Sequence, residues 1–137
     1  MRRFYNAIIQ HYPKISLSDE RRLISKAQNG SKKSRDEIVL QHIEFLRFRI
    51  RKVVFPHLLR RFEDDLLGEA ILILYNKIES YDLDYRNKCG EPHPVKFTSY
   101  IWKRIDGFII DFLKEEIRNV KLDREMSGVM EVDITIY

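Results

Sequence analysis

A chain of 137 residues, 44% hydrophobic and 34% charged, has the length of one domain and enough apolar material for a core, which excludes wholesale disorder. Its 25 Lys and Arg against 21 Asp and Glu leave a formal charge of +4, too small a margin to indicate nucleic acid by itself. No apolar run approaches the roughly 18 residues of a membrane span, the start Met1, Arg2, Arg3 lacks the apolar stretch of a secretory signal, and Cys89 is the one cysteine, so the expectation is a soluble protein of a reducing cytoplasm with no disulfide framework.

The pattern predicts helices in chain order. Ser16 followed by Asp19 forms a capping-box pattern, and Leu23, Ile24 and Ala27 line one edge of a short helix that Gly30 stops. Ser34 and Glu37 offer a second box, leading into Ile38, Val39, Ile43, Leu46, Ile50, Val53 and Val54 as one stripe up to Pro56. That helix would be about 22 residues and about 33 Å long. A third, over residues 64–80, sets Leu67, Ala70, Ile71, Leu74 and Ile78 on one side, with acids in its first turn. The Gly, Pro and Asn content of residues 82–95 reads as a loop. A fourth helix starts at Thr98 or Ser99 and carries Ile101, Ile105, Phe108, Ile109, Phe112 and Ile117 through to about Arg118. Beyond Asn119, Met130, Val132, Ile134 and Ile136 alternate with polar residues in the period of a strand that has no partner. The expectation is an all-α domain, a compact bundle of about four helices over residues 1–118, followed by an extended tail or linker over 119–137.

Charge is unevenly placed along this bundle. Residues 44–61 hold six basic side chains (Arg47, Arg49, Arg51, Lys52, Arg60, Arg61) against Glu44 alone, and the next stretch holds Glu63, Asp64, Asp65 and Glu69. A solvated helix face and a binding surface both produce such a pattern. Catalysis finds little support. His11, His42, His57 and His93 are scattered without metal-ligand spacing, the glycines never cluster into a phosphate loop, and the acids of residues 63–69 suit a helix start better than a magnesium site. The chain reads as a binding protein, not an enzyme, with no cofactor.

Residues 96–107 combine three rings (Phe97, Tyr100, Trp102), two hydroxyls (Thr98, Ser99) and three cations (Lys96, Lys103, Arg104) near a helix start. Single-stranded nucleic acid needs this mixture, with rings for bases and cations and helix-end amides for phosphates. The same composition also suits core aromatics beside solvated cations, and composition leaves both open.

The order of residues resembles region 2 of bacterial sigma factors of the sigma-70 class. Ala27, Gln28, Asn29 and Gly30 are similar to the family's Ala-Gln-x-Gly, the run from Asp65 to Ala70 to its Asp-Leu-Ile-Gln-Glu-Gly, and Tyr81 with Asp82 to its Phe-Asp. Lys96, Phe97, Thr98, Ser99 and Tyr100 resemble Lys-Phe-Ser-Thr-Tyr, and Arg104, Ile105, Asp106 and Gly107 look most like the flagellar and sporulation branch. The resemblance spans about residues 17–118. It implies a transcription initiation protein that binds RNA polymerase core and recognises, and helps to melt, the −10 element of promoter DNA. Asp65, Leu66, Glu69 and Tyr75 would then dock on the coiled coil of the polymerase's largest subunit. Tyr81, Asp82, Phe97, Ser99 and Tyr100 would capture a base flipped from the non-template strand, with Lys96, Trp102, Lys103 and Arg104 at the DNA.

The family's paired tryptophans are replaced by Lys103 and Arg104, with Trp102 one residue earlier, and the loop over residues 83–95 is about eight residues longer than the primary-type pattern. That loop reaches the extruded base or is a plain insertion. No second helical pair follows Arg118, so the expectation is a fragment, a subunit that works with a separate partner supplying the −35-reading domain, or a mobile-element or phage relative with a reduced architecture. The alternative of another class is a helical regulator that acts through contacts with polymerase or an anti-sigma factor and reads no DNA.

Overall fold

The computed structural model of the protein describes residues 14–126. Among them are five helices, α1 (Leu17–Gln28), α2 (Lys32–Gln41), α3 (Ile43–Val53), α4 (Pro56–Ser80) and α5 (Phe97–Met126). The architecture is all-α, as the periodicity predicts, and α2 and α3 are the two halves of the second expected helix. The strand-like alternation at residues 130–136 lies outside the described residues.

Local chemistry accounts for most boundaries. The Ser16 hydroxyl accepts from the Asp19 amide at 3.2 Å and caps α1. Gly30 closes the turn after it at φ 100°, a left-handed conformation that glycine adopts without strain. The chain re-enters helix at once, so the cap of α2 is Ser31, whose Oγ accepts from Ser34 N at 3.2 Å, and the expected cap Ser34 is a buried helical residue.

The stripe that predicts one long helix is broken at His42. Its backbone N–H bonds to the Val39 carbonyl, a tighter closure than the helical one. The Ile38 carbonyl, which a continuous helix would pair with the His42 amide, accepts instead from the His42 ring, Nδ1 to O 2.7 Å. The His42 carbonyl then accepts from Leu46 N and starts α3. The apolar pattern runs through the break because Ile38, Val39, Ile43 and Leu46 are all buried on the same side.

Proline also belongs to a different element than expected. Pro56 opens α4 at its first turn, where a missing N–H costs nothing, so α4 starts well before Asp64 and runs 25 residues, about 37 Å. It packs against each of the other four helices. Leu66, Leu67, Ala70, Leu74 and Ile78 of α4 meet Ile24 and Ala27 of α1, Ile38 and Val39 of α2, Ile43, Leu46 and Ile50 of α3, and Phe97, Ile101, Ile105, Ile109 and Leu113 of α5 in one core. Truncating a wholly buried member such as Ile105 to alanine costs about 2–5 kcal/mol. The helix α5 continues past Arg118 to Met126, so the tail expected from residue 119 begins as helix.

The cap of α5 comes from another part of the chain. The helix starts at Phe97, ahead of Thr98 and Ser99, and the Phe97 amide donates to the carboxylate of Glu20 in α1 at 3.2 Å. The other Glu20 oxygen lies 3.2 Å from His42 Nε2. One buried carboxylate thereby ties α1, the α2–α3 junction and the start of α5 together, at a helix end whose dipole favours negative charge.

Between α4 and α5 the chain forms an arm. The Arg21 guanidinium donates to the Leu83 carbonyl and the Tyr81 hydroxyl to the Val95 carbonyl, which pins both ends. Asn87 Oδ1 accepts from the amides of Cys89 and Glu91, each at 3.0 Å, and closes the tip, while an isolated bridge pairs Arg86 with Pro92. Among the described residues no helix is long and apolar enough to cross a membrane.

Candidate nucleic-acid interface

The basic residues of α3 are mostly committed to ion pairs. Arg47 and Arg51 both approach Glu63, at 3.5 and 3.3 Å, and Glu63 is buried instead of joining the acidic surface expected for residues 63–69. Arg49 makes a two-pronged bond to Asp106 of α5, with Nε to Oδ1 at 2.9 Å and Nη2 to Oδ2, and this bond holds the guanidinium more firmly protonated than usual. The stripe is thus a salt-bridging surface along most of its length.

The aromatic residues of residues 96–104 fall on two flanks of α5. Tyr100 turns towards α4, and Trp102, two residues on and about 200° round the helix, turns towards α3. On the α4 flank Tyr81, Phe97 and Tyr100 form a cluster, with Tyr81 to Tyr100 at 5.4 Å and Tyr81 to Phe97 at 5.9 Å, both edge to face. Phe97 is 0% exposed and Tyr81 nearly so, and both serve as core. Neither ring shows a face to solvent. Burial pushes the Tyr81 hydroxyl's pKa up against the opposing pull of Arg21. Tyr100 keeps a surface. Its hydroxyl lies 2.8 Å from Ser80 Oγ and donates to the Ser80 carbonyl at 3.1 Å, and Lys77 Nζ stands 5.4 Å from its ring centre. Ser99 and Asp82 are exposed, and Asp82 Oδ1 accepts from Asp84 N within a turn.

On the α3 flank Trp102 is 40% exposed, with the Arg49 guanidinium 5.7 Å and Lys103 Nζ 5.6 Å from its ring. A cavity of about 280 Å³ opens between the segment that enters α1, the His42 junction and the start of α5. Phe45 and Phe48 of α3, Lys96 and Thr98 of the α5 start, Lys14, Glu20, Gln41, His42 and Glu44 line it. Gln41 Oε1 is a buried acceptor with no partner among the described residues. Lys96, Lys103 and Arg104 are exposed and enter no ion pair among the described residues. Sequence reasoning missed Phe45, Phe48, Glu20 and His42. Phe48 carries a legible signal, since it is a ring on the polar side of the stripe through Ile43, Leu46 and Ile50.

The expected polymerase-docking set is also divided. Asp65 and Glu69 are exposed one turn apart on α4, and Leu72, 58% exposed, follows on the same face, with Gly68 open beside them. Leu66 is wholly buried and serves the core, so it offers no surface to a partner. Tyr75 is half-buried and donates to Asp36 Oδ1 at 2.8 Å, and burial together with that carboxylate raises its pKa. No three or more His, Cys, Asp or Glu among the described residues converge as metal ligands. No protein-family model, curated protein or solved structure matches the chain.

Proposed function

We propose that this chain is a sigma region 2-like transcription initiation module, which holds single-stranded −10 promoter DNA at the start of α5 and RNA polymerase core on the exposed acidic face of α4. The observation that carries the reading is the aromatic-walled cavity at the cation-bearing start of α5, bounded by Phe45, Phe48, Lys96 and Thr98. A flat heterocycle can lie against Phe45 and Phe48, its polar edge has Thr98, Gln41 and Glu20 to bond, and its phosphates have Lys96 and Lys14 within the same opening. Tyr100, Lys103 and Arg104 supply an exposed-edged ring and two solvent-facing cations one turn further on.

The motif order from Ala27 to Gly107 supports the same reading, and the strip of Asp65, Gly68, Glu69 and Leu72 supports a helical protein partner there. Leu72, an exposed aliphatic one turn beyond these acids, is the kind of anchor a basic-edged helix covers.

The test is binding of a labelled single-stranded −10 oligonucleotide, followed by anisotropy, with core polymerase pull-down in parallel. Salt-sensitive binding that weakens on Tyr100→Ala and Lys103→Ala, and retention by polymerase that falls on Asp65→Ala and Glu69→Arg, is the expected result. Retention by polymerase with no oligonucleotide binding would instead select the regulator that works through protein contacts alone. Loss of both would end the reading.

A further inference from the structure

We infer that the α3–α5 flank is a stacking track for single-stranded nucleic acid, on which Phe48 and Trp102 each take one base and the lysines that now cover those rings move onto the adjoining phosphates. This rests on the proposed function and extends it to α3, a surface the motif order does not assign. Phe48 is 57% and Trp102 40% exposed, large rings left in water on a bundle whose core is otherwise closed. Both border α3, since Phe48 lies on it and Arg49, the next residue and about 100° round the helix, carries the Trp102 ring at 5.7 Å. Phe48 also lines the cavity, so a strand with one base seated there leaves it over Phe48.

Each ring has a cation at hand that is free to move. Lys52 Nζ stands 5.7 Å from the Phe48 ring centre and Lys103 Nζ 5.6 Å from that of Trp102, and both side chains are exposed on flexible stems. Exposed cation–π contacts are weak, so an arriving base displaces the ammonium at small cost and a phosphate receives it. Arg49 behaves differently. Its bond to Asp106 fixes it beneath Trp102, which holds the indole in place and leaves that acid neutralised. Glu44 and the buried Glu20, which both line the cavity, are the opposing charges there. The occupant follows from the chemistry, since this flank exposes rings and cations whereas the exposed aliphatics Leu72 and Leu122 lie on α4 and on the far end of α5. A polyanion with flat faces is the complement.

Trp102 is the only tryptophan, so intrinsic emission reports on it alone. The probe is a −10 oligonucleotide extended by several nucleotides on both sides, titrated into the intact chain. Quenching of Trp102 emission that saturates together with anisotropy is expected. Phe48→Ala should weaken binding by about tenfold, and Lys52→Ala should lower the salt slope by about 0.7, both with unchanged helicity. Binding that still responds to Tyr100→Ala, with constant Trp102 emission and wild-type affinity for Phe48→Ala, overturns the track and leaves the proposed function standing. Absence of any binding by the wild type overturns both.

Discussion

Helix α3 carries Arg47, Arg49, Arg51 and Lys52 within two turns, and the start of α5 carries Lys96, Lys103 and Arg104 over a similar length. The three arginines of the first set face carboxylates brought by α4 and α5, while the second set faces water. Cation density along a sequence is therefore a poor guide to an electrostatic surface. What distinguishes the two stretches is the acid opposite each, Glu63 and Asp106 in one case and none among the described residues in the other. The arginines of α3 serve as internal ties, and the α5 cations are the ones available to a phosphate.

Glu63 is where this difference is most vulnerable. Replacing it with alanine removes the buried carboxylate that Arg47 and Arg51 both approach, and we expect a loss of about 3 kcal/mol in urea unfolding, a large share of a typical domain's stability. A loss below about 1 kcal/mol would mean that α3 is not held by this pair. Arg49→Ala should cost about 2 kcal/mol, since it removes a charge-assisted pair, and it should also red-shift Trp102 emission as the indole loses its support. An unshifted spectrum would show that Trp102 is positioned by something else.

The aromatic side of the α5 start responds to pH. Burial keeps the Tyr81 pKa above its ordinary value, so the folded state holds that proton more tightly than the unfolded chain. The stabilisation is complete below about pH 10, where tyrosine is neutral in both states, and is lost as pH rises through the raised folded value. Tyr75 contributes in the same direction. Tyr81→Phe should cost about 1 kcal/mol at neutral pH and make the alkaline fall in stability shallower, measured by urea titration from about pH 8 to about pH 11. An unchanged alkaline slope would show that Tyr81 has no part in it. The smallest effect on folding is expected from the double change Lys103→Ala, Arg104→Ala. It should leave the unfolding midpoint at the wild-type value while lowering the salt slope of oligonucleotide binding by about 0.7 for each phosphate no longer neutralised. A clear fall in stability would make these cations structural ties like the arginines of α3.

Much of the bundle is legible before folding is considered. The apolar spacing places the helical regions, and the Ser16 cap and the Gly30 stop act within a few residues, which is why they can be read directly. The break at His42 is hidden because the burial pattern continues across it and the ring's second contact, Glu20, comes from α1. Pro56 ends one pattern and opens another with equal validity, and only the burial of Phe62 on its far side decides for α4. The opposed directions of Tyr100 and Trp102 follow from helix geometry alone, so the division of residues 96–104 into two flanks is readable in the spacing. That Phe97 and Leu66 lie wholly inside is not, because Phe97 sits between the polar Lys96 and Thr98 and Leu66 follows the acids Asp64 and Asp65.

An all-α architecture, the Ser16 cap and a cation-rich, aromatic start to the last helix are written into the sequence alone, since these depend on interactions within about one turn. Which cations remain available and which rings keep a face is set only when the helices pack. Arg49 meets Asp106 across 57 positions and Glu20 caps Phe97 across 77, distances over which no local pattern carries information. Burial makes those pairings obligatory, because a charge or amide taken out of water must find its partner wherever the fold brings one.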